Sequence, residues 1–475
     1  MTDPKKPASV SIQVERTHPA PIGEQIYTSL HSSIREGILA AGSRLPSDRA
    51  LAAQLGVARG TIRVACDRLA DEGLIFGAGS SGTWVCSKLP PMPSEHEEVL
   101  DRPLAGFTRP YSSAPLPFQV GVPAQDAFPF KTWERMRARA VRADALSYTT
   151  YADPRGEPGL RSQIASHLAV SRQIQCHPDQ IIVTSGYRSG LMLTLTALQA
   201  SGQKAWMEEP GYPLGRRVLE LAGLTVEPIP VDAEGLRVEE GITRASDALV
   251  ALVTPGQQAP LGVTLSPKRR RDLLGWAETQ SAWIIEDDYL GELQIDGRAT
   301  PALASGEGAQ RVIHIGTFSK TMSPSLGLGF VVVPKMLTEQ FVEIAAVMLP
   351  APNRTTQLAV AEFLADGHFL RHLRQMKDLY CERRACALTH LSKTFPVILR
   401  SGLGLVACLP ETANDAMLVS KARELGLAPS ALSLWYTDAT HAKRGFILSI
   451  TNLRADSIGA ACAALNDVIA AQVKA

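Results

Sequence analysis

The chain has 475 residues, 45% of them apolar and 20% charged, which is ordinary globular composition and enough length for two or three domains. Its formal net charge of +1 excludes a polycation, so any affinity for nucleic acid must come from a local basic surface. The seven cysteines include no Cys-x-x-Cys pair, which argues against a zinc site or a disulfide framework.

Composition along the chain predicts four segments. Residues 1–20 form a polar, flexible tail, and residues 21–87 form a small N-terminal domain. Residues 88–117 are rich in proline and predict an extended linker, and residues 118–475 form a large second domain. The N-terminus lacks an apolar signal region and no run approaches the ~18 apolar residues of a membrane span, so we expect a cytoplasmic protein with no membrane partner.

The N-terminal domain begins with a four-residue period of apolar positions. This period predicts an amphipathic helix with one buried stripe. The stripe consists of Ile22, Ile26, Leu30, Ile34 and Ile38. Ser47 is a favourable N-cap for a second, short helix, and Gly56 marks the tight turn to a third. This spacing predicts a helix-turn-helix.

The third helix has a buried face and a face left for recognition. Its predicted core positions are Ile62, Ala65, Cys66 and Leu69. Arg59, Thr61 and Arg63 then lie on the opposite face near its N-terminus, where side chains reach base edges when such a helix enters the major groove. Two β-like runs, 74–76 and 83–86, follow with a glycine-rich stretch between them, which predicts a hairpin wing.

Three stretches carry a resemblance to a known DNA-binding module. Residues 45–52 (LPSDRALA), 55–62 (LGVARGTI) and 82–85 (GTWV) are similar in order and spacing to the winged helix of GntR-type regulators. The resemblance implies a double-stranded DNA partner. By this resemblance Arg49 and Arg59 would meet phosphates or guanine edges, Thr61 the DNA backbone, and the wing at Gly82 the minor groove.

The large domain alternates apolar β-like runs with helical stretches. The runs lie at residues 181–184, 248–253, 283–285, 312–315 and 329–333. Such alternation predicts an α/β domain with a mostly parallel sheet and helices on both faces. Ligands of such sheets bind beyond the carboxyl ends of the strands.

Polar clusters follow three of these runs. Residues 185–188 (SGYR) precede a helix predicted from about residue 189, so their N–H groups offer a seat for phosphate. Residues 286–289 (EDDY) and 316–320 (GTFSK) follow two further strands. A lysine amine, a carboxylate, a phenol and phosphate donors are the groups that pyridoxal 5'-phosphate needs. Each motif is common alone, and their combined order makes the set specific.

Further stretches extend the resemblance to the whole chain. Residues 208–213 (EEPGYP), 254–262 (TPGQQAPLG) and 284–289 (IIEDDY) are similar to fold-type I aminotransferases across residues 118–475. With the winged helix attached, the chain resembles the MocR subfamily of GntR regulators. The resemblance implies a C-terminal α/β subdomain and a homodimer in which the partner completes each site. A dimer of this kind reads DNA with two half-sites or repeats.

The resemblance also assigns roles to single residues, and none of them is catalytic or holds a metal. Lys320 would form a Schiff base with pyridoxal 5'-phosphate, Asp287 would pair with the pyridine nitrogen, and Tyr289 with the ring hydroxyl. Tyr212 would stack on the ring. The phosphate would be held by Tyr187, Arg188, Thr317 and Ser319.

The phosphate site departs from the family's pattern. Relatives usually carry an arginine seven residues after the lysine, where this chain has Gly327. Arg188 stands where the family commonly has glutamine, in the same phosphate turn. We therefore predict that the Arg188 guanidinium takes over the phosphate contact that is missing at position 327.

The ligand side departs as well. Ile447 aligns with the arginine that binds a substrate carboxylate, and Leu214 takes a position that is basic in some relatives. Gln258 stands near the position of an asparagine that many of the enzymes direct at the ring oxygen. The nearby cations that could substitute are Arg216, Arg217 and Arg454. These losses argue against efficient transamination.

The leading hypothesis is therefore a transcription regulator whose aminotransferase-like domain senses a small amine, an amino acid or pyridoxal phosphate itself. Two alternatives stay open. One is an aminotransferase with an accessory DNA-binding domain, and the other is a regulator that has lost the cofactor. The sequence does not identify the effector, the operator or the sign of regulation.

Overall fold

The structure is a computed structural model that describes residues 12, 14–16, 20–77, 82–89, 114–147, 150–297, 299–306, 308–348 and 352–473. Contacts within the chain separate two compact units, Met1–Asp101 and Arg102–Ala475. The wing tip at residues 78–81 and most of the predicted proline-rich linker, residues 90–113, lie outside the described residues.

The smaller unit is a winged helix-turn-helix. Its elements are α1 Ile22–Arg35, α2 Asp48–Leu55, α3 Arg59–Asp71, β1 Ile75–Gly77 and β2 Thr83–Val85. The two strands pair antiparallel, with Ile75 opposite Val85, so the predicted hairpin is confirmed. Ser47 caps α2 by accepting the backbone N–H of Ala50 at 3.2 Å, and Gly56 ends this helix with a left-handed φ of +63°.

The predicted burial of Ile38 is wrong. Helix α1 ends at Arg35, and the chain turns at Gly37, whose φ is +75°. Because the helical period stops there, Ile38 is 69% exposed and Leu39 takes the buried position. The other apolar positions of the stripe after Ile22, at 26, 30 and 34, are buried as predicted.

Part of the segment predicted as a flexible tail lies against the winged helix. Ile12 is buried among the core residues of this unit. The side chain of Gln25, on α1, accepts the backbone N–H of Glu15 at 2.9 Å and donates to the carbonyl of Ala20 at 2.8 Å. These contacts tie the segment before α1 to the first helix.

The larger unit alternates helices and strands. Its helices are α4 Phe130–Ala145, α5 Pro158–Ser171, α6 Tyr187–Ala197, α7 Pro213–Leu221, α8 Val238–Ala245, α9 Pro267–Thr279, α10 Thr338–Met348, α11 Arg354–Ala365, α12 His368–Leu391, α13 Asp415–Glu424 and α14 Ile458–Val473. Its strands are β3 Ile181–Thr184, β4 Lys204–Glu209, β5 Thr225–Asp232, β6 Gly235–Leu236, β7 Val250–Val253, β8 Trp283–Asp288, β9 Val312–Thr317, β10 Gly329–Val332, β11 Ile398–Ser401, β12 Gly404–Cys408, β13 Ser430–Ala431 and β14 Gly445–Ser449. Short 3-10 helices lie at Pro178–Gln180, Leu303–Ser305, Ala309–Arg311, Pro324–Leu326, Lys335–Leu337 and Leu432–Trp435.

The main sheet has the strand order β3-β10-β9-β8-β7-β4-β5-β6. Strands β9, β8, β7, β4 and β5 are parallel, whereas β10 runs antiparallel to both of its neighbours and β6 closes a hairpin with β5. The mostly parallel sheet predicted from the sequence is confirmed, with β10 as a reversed strand inside it.

Helices cover both faces of this sheet. Val250 and Leu252 of β7 pack with residues of α6, α7 and α10, while Ala251 and Val253 pack with residues of α8 and α9. This alternation follows from the two-residue period of a strand buried on both sides.

A second sheet forms the predicted C-terminal α/β subdomain. Its order is β11-β12-β14-β13, and all of its pairs are antiparallel. Phe446 and Leu448 of β14 share a core with Leu418 of α13 and Leu465 of α14. Within the described residues, no helix combines the length and the apolarity that a membrane crossing requires.

The strand order brings three chain segments together at one edge of the main sheet. Gly329, at the start of β10, pairs with Thr184 at the end of β3 and with Thr317 at the end of β9. Asp288, at the end of β8, pairs with Gly316 of β9. The polar clusters that follow β3, β8 and β9 in the sequence are therefore neighbours in space.

Candidate functional site

A cavity of about 490 Å³ opens at this edge of the main sheet and reaches the C-terminal subdomain. Every residue that the sequence assigns to a cofactor lines it. These residues are Tyr187, Arg188, Tyr212, Asp287, Tyr289, Thr317, Ser319 and Lys320. Strand ends and a helix start thus bring together groups from four separate parts of the larger unit.

Lys320 lies three residues beyond the end of β9. Its Nζ donates a hydrogen bond to the carbonyl of Gly121 at 3.0 Å. Gly121 has a φ of +91°, a backbone conformation that favours glycine, and a Cβ at this position would lie 2.9 Å from that Nζ. Burial lowers the pKa of Lys320 to about 8, against the attraction of Asp287. A larger share of this amine than of an exposed lysine is therefore neutral and nucleophilic near neutral pH.

Asp287 points its carboxylate into the cavity, because it alternates on β8 with two acids that face the other side. Glu286 accepts the N–H of Leu303 at 2.8 Å and contacts His314, and Asp288 pairs with Arg172 at 2.6 Å. Asp287 differs from both, since its Oδ1 is buried without a hydrogen-bond partner. Burial raises the pKa of Asp287 to about 8; the phenol of Tyr187 and the amine of Lys320 oppose this shift, and the nearby acids Asp288 and Glu208 add to it.

An unpartnered buried carboxylate oxygen of this kind costs free energy unless a ligand supplies a donor. A cationic N–H group satisfies both the hydrogen bond and the charge. The carboxylate of Asp287 is thus suited to a protonated ring nitrogen.

Aromatic side chains form one wall of the cavity. The ring of Tyr212 lies 6.1 Å from that of Tyr187 and 5.8 Å from that of Trp435, measured between centroids. Burial raises the pKa of Tyr212 to about 12 and raises that of Tyr289 as well. Both phenols therefore stay protonated at neutral pH and offer a donor.

The start of α6 forms the polar end of the cavity. Gly186 precedes the helix with a φ of +95°, and the first backbone N–H groups of α6 point outward from its N-terminus. Thr317 and Ser319 lie nearby in the same lining, with 3.0 Å between their hydroxyl oxygens. Hydroxyls and free N–H groups at a helix N-terminus form a seat for a dianionic phosphate.

Arg188 and Gly327 share this polar end. Arg188 is exposed, and among the described residues no hydrogen bond or ion pair engages its side chain. Gly327 has a φ of +53°, and a Cβ built on it meets nothing within 4 Å. The guanidinium of Arg188 thus lies at the polar end of the cavity. Position 327, where the family's pattern has an arginine, borders open space.

The ligand side of the cavity is apolar. Ile447 is buried on β14 and lines the cavity next to Trp435, and Leu214 lines it as well. Gln258 is turned away, because its amide donates to the carbonyl of Pro210 at 2.7 Å. The predicted loss of a carboxylate clamp at position 447 therefore coincides with an apolar surface.

The three arginines that the sequence suggests as substitutes do not line the cavity. Arg216 donates to the carbonyl of Trp435 at 3.0 Å, Arg217 pairs with Glu220 at 2.9 Å, and Arg454 lies 3.6 Å from Asp456. The cavity instead contains Arg423, on the last turn of α13.

Sequence reasoning missed both Arg423 and the segment around Gly121. Arg423 gave no signal, because a basic residue in the last turn of a helix is ordinarily explained by its favourable interaction with the helix dipole. For residues 119–122, the one feature that could have indicated a contact with the site was the glycine at position 121, just after the predicted proline-rich linker.

The predicted DNA-contacting residues of the smaller unit lie on α2 (Arg49), in the N-terminal half of α3 (Arg59, Thr61 and Arg63) and at the base of the wing (Gly82). Arg49, Arg59 and Arg63 are exposed, and Thr61 is partly buried beside α1. Val64, the residue after Arg63 on α3, is 61% exposed and has no role in the sequence prediction. Apolar side chains at such positions contact thymine methyl groups in the major groove.

At the base of the wing, Gly82 has a φ of +95°, and a Cβ there would lie 2.9 Å from Nε of Arg44. The backbone of Arg44 forms an isolated antiparallel β-bridge with Trp84 of β2. The sequence prediction gave Arg44 no role. Its guanidinium adds a positive charge next to the wing.

Comparison with known proteins assigns a family to each unit. Residues 22–85 match the family of bacterial regulatory proteins, gntR family. Residues 116–425 match the family of aminotransferases class I and II.

Full-length relatives combine both units. The chain is 36% identical over 437 residues to a probable rhizopine catabolism regulatory protein, MocR, of Rhizobium meliloti, covering 88% of each chain. It is 31% identical to the HTH-type pyridoxine biosynthesis transcriptional regulator PdxR of Corynebacterium glutamicum, covering 97% of this chain and 99% of the relative. It is 32% identical to the HTH-type transcriptional regulator TauR of Rhodobacter capsulatus, covering 79% of this chain and 81% of the relative.

Solved structures agree with the fold of the larger unit. An archaeal alanine:glyoxylate aminotransferase superposes with a TM-score of 0.70 at 22% identity, covering 76% of this chain and 92% of the other. The alpha-aminoadipate aminotransferase LysN from Thermus thermophilus superposes with a TM-score of 0.68 at 24% identity, covering 76% and 93%.

The winged helix, the aminotransferase fold and the regulator relatives together define a DNA-binding transcriptional regulator with an aminotransferase-like domain. Within that class, the chain belongs to the MocR subfamily of GntR-type regulators.

Proposed function

We propose that the larger unit binds pyridoxal 5'-phosphate through Lys320 and senses a small amine, and that ligand binding there changes the affinity of the smaller unit for DNA. The observation that carries this proposal is the pairing of Lys320 with Asp287 in one cavity. The first offers an amine whose pKa is lowered by burial, and the second a buried carboxylate oxygen without a hydrogen-bond partner.

The remaining groups of the cavity fit the other parts of this cofactor. Asp287 is suited to the ring nitrogen, the protonated phenol of Tyr289 to the ring hydroxyl, and Tyr212 to the ring face. The start of α6, with Arg188, Thr317 and Ser319, is suited to the phosphate. When bound, the cofactor supplies an aldehyde carbon that exchanges between primary amines.

Each residue then has a separate task. Lys320 would hold the cofactor through its Nζ, and its amine would be the group that a competing primary amine replaces. Asp287 would keep the ring nitrogen protonated, and the aromatic wall at Tyr212 and Trp435 would exclude water from one side of the ring.

The apolar ligand side favours sensing over turnover. An aminotransferase must hold both amino donor and keto acceptor in register, which the enzymes do with a carboxylate clamp. Ile447 offers no such clamp, and the amide of Gln258 is engaged elsewhere. Low or absent turnover is therefore part of the proposal.

In the smaller unit, we assign DNA contacts to the exposed arginines. Arg59 and Arg63 would read base edges in the major groove, and Arg49 and Thr61 would meet phosphates. The wing at Gly82 is assigned to the minor groove. Two copies of the chain would read two half-sites, with the half-site spacing set by the dimer.

The test of the cofactor assignment is the visible absorption spectrum of the purified full chain after incubation with pyridoxal 5'-phosphate and desalting. The wild type and Lys268→Ala are expected to keep an absorption band, and Lys320→Ala to lose it. Lys268 is a matched control because it is an exposed lysine of the same unit, paired with Asp272 at 2.7 Å. A wild type without the band would refute the assignment.

The test of sensing is the affinity for DNA sites selected from a random library, measured with and without the cofactor and with amines. Linkage requires that DNA and ligand change each other's affinity by the same factor. The competing function is an aminotransferase with an accessory DNA-binding unit, which Lys320, Asp287 and Tyr289 permit chemically. Steady turnover of an amino donor with a keto acceptor would favour that function instead.

A further inference from the structure

The part of the cavity that faces the C-terminal subdomain contains a charged side chain that the cofactor assignment leaves unused. Arg423 lines the cavity from α13, together with Val419 one turn earlier. It is partly buried, and within the described part of the chain no hydrogen bond or ion pair engages its side chain. Its guanidinium is thus available to a ligand.

The other polar side chains in this part of the lining are already engaged. The hydroxyls of Ser449 and Thr451 lie 2.8 Å apart and bond to each other, and Ser401 donates to the carbonyl of Pro260. The hydroxyl of Ser430 accepts the indole N–H of Trp435 at 3.4 Å. Arg423 therefore differs from these neighbours, because no hydrogen bond within the described residues engages any part of its side chain.

The charges of the cavity wall favour an anion there. The ionisable cations of the lining are Lys320, Arg188 and Arg423, and the acid is Asp287. Lys320 and Asp287 face each other, and Arg188 belongs to the phosphate seat. Arg423 has no acid to balance it in the wall, so an anionic group gains a charge-assisted, bidentate partner there.

The surface beside Arg423 is apolar. Ile447 and Trp435 are buried and lie in one cluster of side chains with Leu434 at its edge. A ligand that reaches from Lys320 towards Arg423 passes this surface, so its middle must be apolar to gain from burial.

We infer that Arg423 selects the effector, which is a small primary amine that carries an anionic group separated from the amine by an apolar segment. The inference rests on the proposed function, since the amine is held at the cofactor on Lys320. The anionic group of the ligand would then be bound from helix α13, and not from β14, where Ile447 occupies the position of the family's carboxylate-binding arginine.

The experiment compares matched pairs of amines that differ only in the acid group, such as pentylamine with 5-aminopentanoate and propylamine with 3-aminopropanoate. The full chain is loaded with pyridoxal 5'-phosphate, and the apparent dissociation constant of each amine is read from the change in the absorption band. The wild type is expected to bind at least one amino acid of these pairs roughly 10-fold or more tighter than its uncharged partner.

Arg423→Gln should reduce that preference to near unity while leaving the affinity for the uncharged amine unchanged. Arg423→Lys keeps the charge and should retain part of the preference. Arg217→Gln is the control, because Arg217 is exposed, paired with Glu220 and outside the cavity lining. An unaltered band in Arg423→Gln before amine is added shows that the variant is folded and loaded.

The outcomes separate the two proposals. If the absorption band is normal but Arg423→Gln still prefers the anionic amine, the role of Arg423 is overturned and the cofactor assignment stands. The same conclusion follows if the band is normal and the wild type shows no preference for the anionic amine. No band in the wild type overturns the cofactor assignment, and the role of Arg423 falls with it.

Discussion

The substitution Arg188→Gln tests the most specific departure from the family. Relatives place the phosphate-binding arginine at the position of Gly327, and this chain places a guanidinium at the second residue of α6 instead. The Arg188 guanidinium lies close enough to Tyr212 to oppose the effect of burial on the pKa of that phenol. Glutamine keeps the helix and much of the side-chain length and removes the charge.

The magnitude follows from the bonds lost. A hydrogen bond to a charged group contributes about 1.5 to 3 kcal/mol, so losing one weakens binding of pyridoxal 5'-phosphate roughly 10- to 150-fold. The start of α6 and the hydroxyls of Thr317 and Ser319 remain, so binding should be weakened and not abolished.

The assay is a titration of each variant with pyridoxal 5'-phosphate and with pyridoxal, followed by absorbance. Arg188→Gln should lose affinity for the phosphorylated form and keep its affinity for pyridoxal, whereas Arg217→Gln should resemble the wild type in both. Adding Gly327→Arg to Arg188→Gln should restore part of the affinity, since position 327 has room for a side chain. That rescue is limited by the left-handed φ at this position, which costs about 1 kcal/mol or more for a non-glycine residue. Equal affinity of Arg188→Gln and wild type for the phosphorylated form would refute the reasoning.

Three further predictions concern single groups. Because burial lowers the pKa of Lys320 to about 8, the rate of covalent capture of pyridoxal 5'-phosphate should rise with pH and level off just above pH 8, and a rise that continues towards pH 10 would contradict this. Because the pKa of Asp287 is raised to about 8, the folded cofactor-free chain holds the proton of this carboxyl more tightly than the unfolded chain does. The free energy of unfolding in urea should therefore fall as pH rises from about 4 to about 8. Asp287→Asn should remove the contribution of this group to that pH dependence. Arg59→Ala should weaken binding to selected DNA sites by about 1 to 3 kcal/mol, measured by fluorescence anisotropy, while Arg217→Ala should have no effect.

The fold and the residues that meet in the cavity were predictable because their signals are local. Strands show as short apolar runs, and a polar cluster directly after such a run must lie at a strand end, as Asp287 and Lys320 do. Ser47 and Gly56 likewise mark helix ends by their own chemistry. Ile38 was misplaced because a period of apolar residues does not show where the helix stops.

The rest depends on contacts between distant parts of the chain. Gly121 meets Lys320 across 199 positions, and nothing near Gly121 in the sequence indicates that contact. In the sequence, Arg423 looks like any basic residue at the C-terminal end of a helix. It lines the cavity because α13 packs against β13 and β14, which the local sequence does not show. The same holds for Gln258, whose amide is engaged by a carbonyl 48 positions away.

A ligand shifts a conformational equilibrium only as far as it binds one arrangement better than another. Lys320 lies on the segment after β9, and Arg423 lies on α13 of the C-terminal subdomain, so a ligand that contacts both is sensitive to the distance between these elements. A ligand that contacts Lys320 alone has no such sensitivity. We therefore expect an uncharged amine to change the absorption spectrum of the loaded chain without changing its affinity for DNA, and an anionic amine to change both. Equal effects of the two amines on DNA affinity would place the switch at Lys320 itself.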